Sequence, residues 1–197
     1  MAGLAELRYF QGTLPSRQRT IPHSSRGFTL VELLAVVVIT GILSLLAIAG
    51  FRRHMQSARG AEAASVIQAI RSAQESYMAE NHVYLPVSTD GGGFYPQNKP
   101  STQRYAFSNS KHLDYALWQR LAPSVNGSVM FDYMVNAGVP GTMFPKLQTT
   151  SSPDFSAAQP LDWYLIQAIG DVDGNGVFSR YAATSLTNEL YVENEGE

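Results

Sequence analysis

The sequence contains no cysteine, which removes a disulfide framework, a thiolate zinc site and a cysteine nucleophile together. Charge is sparse: 15% of the 197 residues are Asp, Glu, Lys or Arg, against 45% hydrophobic. At about 150 residues per domain this length holds one core or little more, which excludes a large multidomain enzyme. The composition fits neither a collagen-like nor a disordered chain. Signatures of catalysis are missing as well. No His-Glu-x-x-His, Gly-x-Ser-x-Gly or Walker loop occurs, and His23, His54, His82 and His112 are scattered along the chain. His82 and His112 read as solvated residues, not ligands. The run Gly91-Gly92-Gly93 lacks the Gly-Lys-Ser/Thr of a phosphate loop and reads as a surface turn. The chain is expected not to be an enzyme.

What is present is asymmetric. Residues 1–27 carry Arg8, Arg17, Arg19 and Arg26 against Glu6 alone, a basic leader. The rest is acidic, which argues against non-specific nucleic-acid binding by the body. From Phe28 to Phe51 runs FTLVELLAVVVITGILSLLAIAGF, with Glu32 its one ionisable residue. As a helix it would be about 36 Å long, enough for the roughly 30 Å of bilayer hydrocarbon. A secretory signal has a shorter apolar region and a small-residue cleavage site after it, and neither fits. Arginines flank both ends, Arg52, Arg53 and Arg59 on the far side. The shorter, more basic N-terminal flank places the N-terminus inside. A carboxylate costs roughly 2.5–3.5 kcal/mol at the centre of a membrane helix, less near an end. Glu32 therefore either snorkels to water or takes part in an ion pair between subunits.

The stretch Arg26-Gly27-Phe28-Thr29-Leu30-Val31-Glu32-Leu33-Leu34 resembles the processing signal of type IV pilins and pseudopilins, and the resemblance extends over residues 26–80. It implies that a membrane-embedded prepilin peptidase cuts between Gly27 and Phe28, removes residues 1–27 as a cytoplasmic leader, and methylates the new amine of Phe28. Glycine suits that position because it has no Cβ to keep its backbone from a protease's catalytic groups. The new amine lies four residues before Glu32, on about the same helix face and about 6 Å away along the axis. The resemblance implies that Glu32 of one subunit pairs with the Phe28 amine of a neighbour and sets the axial register. Two departures stand out: the leader is longer than in many relatives, and the proline many pilins carry late in this helix is replaced by Ala49, followed by Gly50. Gly50 weakens a helix by about 1 kcal/mol relative to Ala.

Beyond the apolar segment (28–51), Val66, Ile70, Ala73 and Tyr77 fall at helical spacing, so residues 52–81 read as an amphipathic continuation. Residues 82–197 read as a head. Its first part, to residue 128, is rich in breakers, with a short helix expected from Leu113, Leu117 and Leu121. Val129, Phe131, Tyr133 and Val135 alternate with Met130, Asp132, Met134 and Asn136, and strands are expected there, over 163–169 and 177–183, and over 189–192. Pro140, Pro145, Pro153 and Pro160 mark an exposed connection between them. The expected class is α+β: a long N-terminal helix, half apolar and half amphipathic, packed on a C-terminal antiparallel sheet, type IV pilin-like.

Asp171-Val-Asp173-Gly-Asn175-Gly176 matches the opening of a calcium loop. Ala182 stands where the bidentate Glu of an EF-hand belongs, and Asp-Gly and Asn-Gly are also hairpin-turn signals. The segment reads as a turn, with calcium on Asp171, Asp173 and Asn175 as the candidate ion; related pseudopilins hold head-domain calcium. By resemblance the chain is expected to be a structural subunit, major or minor, of a type IV pilus or pilus-like filament. A type II secretion pseudopilin is the alternative, and a membrane-tethered binding module the alternative of another class. Expected partners are prepilin peptidase, other pilin subunits, the assembly platform and the bacterial inner membrane, with DNA or a surface ligand of the head left open. The expected location is the inner membrane for the precursor, then an extracellular pilus or a periplasm-spanning pseudopilus.

Overall fold

The computed structural model describes residues 27–88, 93–153, 155 and 157–196. The leader arginines, His23, Gly91 and Gly92 lie outside them. Compact packing divides the chain into residues 1–43 and 44–197.

In the first unit the described residues are the start of helix α1 (Leu30–Asn81). It opens on a reciprocal pair of bonds. The Glu32 N–H donates to Thr29 Oγ1 at 3.2 Å and the Thr29 N–H to Glu32 Oε2 at 3.5 Å. This Thr-x-x-Glu arrangement satisfies two backbone donors that a helix start leaves without partners.

In the second unit α1 continues to Asn81 and stops where His82 turns left-handed (φ 59), its N–H bonded to Met78 O at 2.8 Å. Ala63, Val66, Ile67, Ile70 and Gln74 form the buried face. Val66 and Ile70 sit as the periodicity requires, and Ala73 and Tyr77 are partly buried against the same core. Fully burying an Ile or Val contributes roughly 1.5–3 kcal/mol. Gln74 completes the stripe by a two-way bond with Leu85: its Nε2 donates to Leu85 O (2.7 Å) and its Oε1 accepts the Leu85 N–H (3.0 Å). The chain after the helix is thereby clamped back onto it.

The sheet is an antiparallel meander of β3 (Asp132–Gly138), β4 (Trp163–Gly170), β5 (Ser179–Thr184) and β6 (Leu190–Glu193). Register aligns Tyr133, Ala168, Tyr181 and Val192 in one cross-strand row and Val135, Ile166, Ala183 and Leu190 in the next. These rows share the core with Ala63, Val66, Ile67 and Ile70. The class is α+β, as expected.

Four local expectations are corrected. The strand expected from Val129 is split: Ser128–Val129 forms β2 and pairs with β1 (Tyr105–Ala106), while the sheet strand begins at Asp132. The Met130 N–H between them donates to Glu62 Oε1 at 2.9 Å instead of to a strand. The short helix α2 is Tyr115–Leu121 and buries Trp118 and Leu121, leaving Leu113 80% exposed ahead of it. The proline-rich connection is not a free loop. Phe144 stacks on Trp163 (4.2 Å between ring centres), Gln148 N–H donates to the buried Gln167 Oε1 (2.6 Å), and Thr150 N–H donates to Glu193 Oε2 (2.7 Å). It covers the face of the sheet opposite α1, so all eight residues of β4 are buried. The fourth concerns His112, described below.

Candidate functional site

Around the expected processing point, a Cβ built at Gly27 meets nothing within 4 Å, and Phe28 is 76% exposed. Thr29 caps the helix and Glu32 lies in its first turn. Residues Leu30–Ile48 form a helical stretch apolar and long enough to cross a membrane, none of it buried within the chain. Its polar groups are provided for locally: Thr40 Oγ1 donates to Val36 O (2.8 Å) and Val37 O (3.0 Å), which lets a hydroxyl sit in an apolar helix. Glu32 is the one ionisable side chain of the stretch. The sequence signal for this cap is the spacing Thr29-x-x-Glu32.

The structure brings Asp171, Asp173 and Asn175 onto one turn between β4 and β5. Each side chain accepts a nearby backbone N–H: Asp171 Oδ1 from Gly174 (2.8 Å), Asp173 Oδ1 from Asn175 (3.1 Å), Asn175 Oδ1 from Val177 (2.6 Å). Gly174 and Gly176 take φ of +81° and +82°, which favours glycine. Ser179 and Ala182, the ninth and twelfth positions of the calcium pattern, belong to β5. Ser179 Oγ donates to Asn194 O (2.8 Å), and Ala182 is fully buried. Among the described residues no three His, Cys, Asp or Glu side chains gather as a metal site.

His82 and His54 are exposed. His112 is not the solvated residue expected: its side chain is 5% exposed, its Nε2 faces Phe94 O at 3.0 Å, and its Nδ1 accepts the Asp114 N–H at 3.1 Å. Both ring nitrogens thus face backbone groups and not solvent. Asp132 is buried too, its Oδ1 accepting the Gln97 N–H at 3.0 Å. Burial pushes its carboxyl up to about 7, against the smaller lowering effect of that bond. The folded state thus holds a proton that the unfolded chain releases near pH 4. Stability is full below that range, falls as pH rises through about 7, and stays reduced above it. Asp132→Asn is therefore expected to raise the melting temperature at pH 8 by several degrees, at about 2–4 °C per kcal/mol. The difference should shrink as pH falls below 7 and vanish only at about pH 4 and below in paired thermal melts.

An exposed apolar helix with a single carboxylate in its first turn, followed by an amphipathic half laid on an antiparallel sheet, defines a subunit built around its N-terminal helix. A family model described as the prokaryotic N-terminal methylation motif matches residues 22–48. The chain is 37% identical to the type IV major pilin protein PilA of Myxococcus xanthus over 34% of its own length and 31% of the relative's. It is 36% identical to the type II secretion system core protein G of Escherichia coli, over 34% of this chain and 45% of that one. With core protein G of Klebsiella michiganensis it shares 31% identity over 60% of this chain and 89% of the relative. The chain belongs to the type IV pilin and pseudopilin family. It spans about a third of the Myxococcus relative and just under half of the Escherichia one. No solved structure matches it significantly.

Proposed function

We propose that this chain is a filament subunit, made as a membrane-inserted precursor, cut between Gly27 and Phe28, methylated on the Phe28 amine, and assembled through α1. The observation that supports this reading best is the helical stretch Leu30–Ile48, bare of cover within the chain and carrying Glu32 alone as a charge. An apolar surface of that size needs lipid before assembly and neighbouring helices after it. A carboxylate held at such depth needs a positive partner, and the Phe28 amine of another subunit supplies one at the matching level. Partners on this reading are prepilin peptidase, sister subunits, an assembly platform and the inner membrane; the product is a pilus or a secretion pseudopilus. Mass spectrometry of sheared fibres tests it: the chain is expected to begin with N-methylated Phe28, and a chain in the fibres still carrying Met1 would overturn the reading.

Calcium is proposed for the β4–β5 turn. Asp171, Asp173 and Asn175 stand there as hard oxygen donors at alternate positions, and their oxygens keep lone pairs beyond the N–H groups they accept, among them Asn175 Nδ2 on Asp173 Oδ2 at 3.0 Å. The ion would tie the hairpin and do no chemistry. Chelation is expected to lower the melting temperature by several degrees, the linkage being about 2.7 kcal/mol at a hundredfold excess over Kd. An unchanged melt would leave the turn to its own hydrogen bonds.

A further inference from the structure

The chain has three lysines, Lys99, Lys111 and Lys146, and two of them line one pocket of about 390 Å³ between residues 96–99 and 109–113. The two loops are fastened together beneath it. Asn109 Nδ2 donates to Pro96 O (2.7 Å), Asn109 N–H donates to Tyr95 Oη (2.9 Å), and Asn109 Oδ1 accepts the Lys111 N–H (3.1 Å). Below these, Tyr95 stacks on Trp118 at 4.9 Å and meets His112 edge-on at 5.1 Å. The two loops that carry the lysines are thus tied to each other through Asn109 and Pro96, which limits how far the stems can part before a ligand arrives and lowers the ordering cost of binding.

The charge of the rim is positive. Both lysines are exposed, and among the described residues neither forms an ion pair. Two carboxylates lie buried beside these loops, Asp114 (2% exposed) next to His112 and Asp132 (4% exposed) on the Gln97 N–H. A cationic rim on an otherwise acidic body attracts a negative group. The remaining walls narrow the choice. Gln97 adds an amide, and Leu113, 80% exposed, adds an apolar surface at the edge. Among the described lining residues the only aromatic ring is that of His112, whose side chain is 5% exposed and leaves no open face for a base to stack on, and no Arg offers the planar fork suited to phosphate. Ammonium groups, an amide and a small apolar face together suit a pyranose ring carrying a carboxylate.

We propose that this pocket is a binding site for an acidic saccharide, with Lys99 and Lys111 meeting its carboxylates and Gln97 and Leu113 its ring. The site is independent of the apolar helix and stands whichever kind of filament the subunit builds.

The test uses the full chain in a detergent without sugar headgroups, titrated by calorimetry with a galacturonate trimer. Saturable binding that weakens with salt is expected, with affinity falling about tenfold in Lys99→Gln/Lys111→Gln, an amount worth one contact-scale free-energy step. It should persist in Lys99→Arg/Lys111→Arg and in Lys146→Gln. Should the glutamine pair fail to fold, the wild-type chain supplies a second readout: the trimer is expected to protect Lys99 and Lys111, and not Lys146, from reductive methylation. No saturable binding, equal binding of a neutral maltotriose, tighter binding of a short single-stranded oligonucleotide, or equal labelling of the three lysines would each overturn the proposal.

Discussion

Gly27→Ala, co-expressed with a prepilin peptidase, is expected to accumulate at full length, residues 1–27 still attached, while the wild-type chain is trimmed. A bulkier residue should do the same more completely. The structure makes this substitution informative, because a Cβ at Gly27 meets nothing within 4 Å. The chain itself accommodates alanine, so a processing defect is assignable to the enzyme's cleft, where a side chain would hold the scissile backbone away from the catalytic groups. An immunoblot or intact mass separates the two forms. Normal trimming of Gly27→Ala and of Gly27→Leu would remove the assigned cut site.

The second large effect is expected at Glu32, where two substitutions separate two roles. Glu32→Ala removes both the charge and the bond to the Thr29 N–H, and losing a cap costs about 1 kcal/mol. Glu32→Gln removes the charge but keeps an oxygen that can accept from Thr29, since Gln serves in the same capping arrangement. Both variants should be processed at Gly27. If Glu32 acts through an ion pair with a neighbour's amine, both should be nearly absent from wild-type filaments, because stranding one partner of a buried pair costs about 3–5 kcal/mol. Incorporation of Glu32→Gln at the wild-type level, measured in sheared fibres of mixed strains, would reduce Glu32 to a cap.

The apolar start of α1 was legible because its signals are local and strong: an unbroken apolar run with one charge in it. The sheet was legible for a similar reason. Alternation at Tyr133 and Val135, and the apolar content of 163–169, survive in the register. What escaped reading depends on residues far apart in sequence. The strand break at Met130 is made by Glu62 on α1, which takes the N–H a ladder would have used. Gln74, a polar residue on the buried face of α1, is accommodated there because the Leu85 backbone satisfies both ends of its amide. His112 gives no sign in sequence of lying under Tyr95. The connection from β3 to β4 has no periodicity at all. Its prolines, serines and glutamines suggest a solvated loop, and Phe144, Leu147 and Phe155, packed with Trp163 and Leu165, draw it down together with the bonds to Gln167 and Glu193. The sequence marks Gly27, Phe28 and Glu32 as candidates through one local motif, whereas the Lys99 and Lys111 pocket is a product of loop packing that spacing along the chain does not encode.

The roof that this connection lays over Trp163, Leu165 and Gln167 also restricts how two such heads can meet. A sister molecule cannot press a helix or a second layer of strands against that surface without first peeling the roof away and wetting the stacked Phe144 and Trp163 rings. Lateral association of heads must therefore use surfaces other than that face of the sheet.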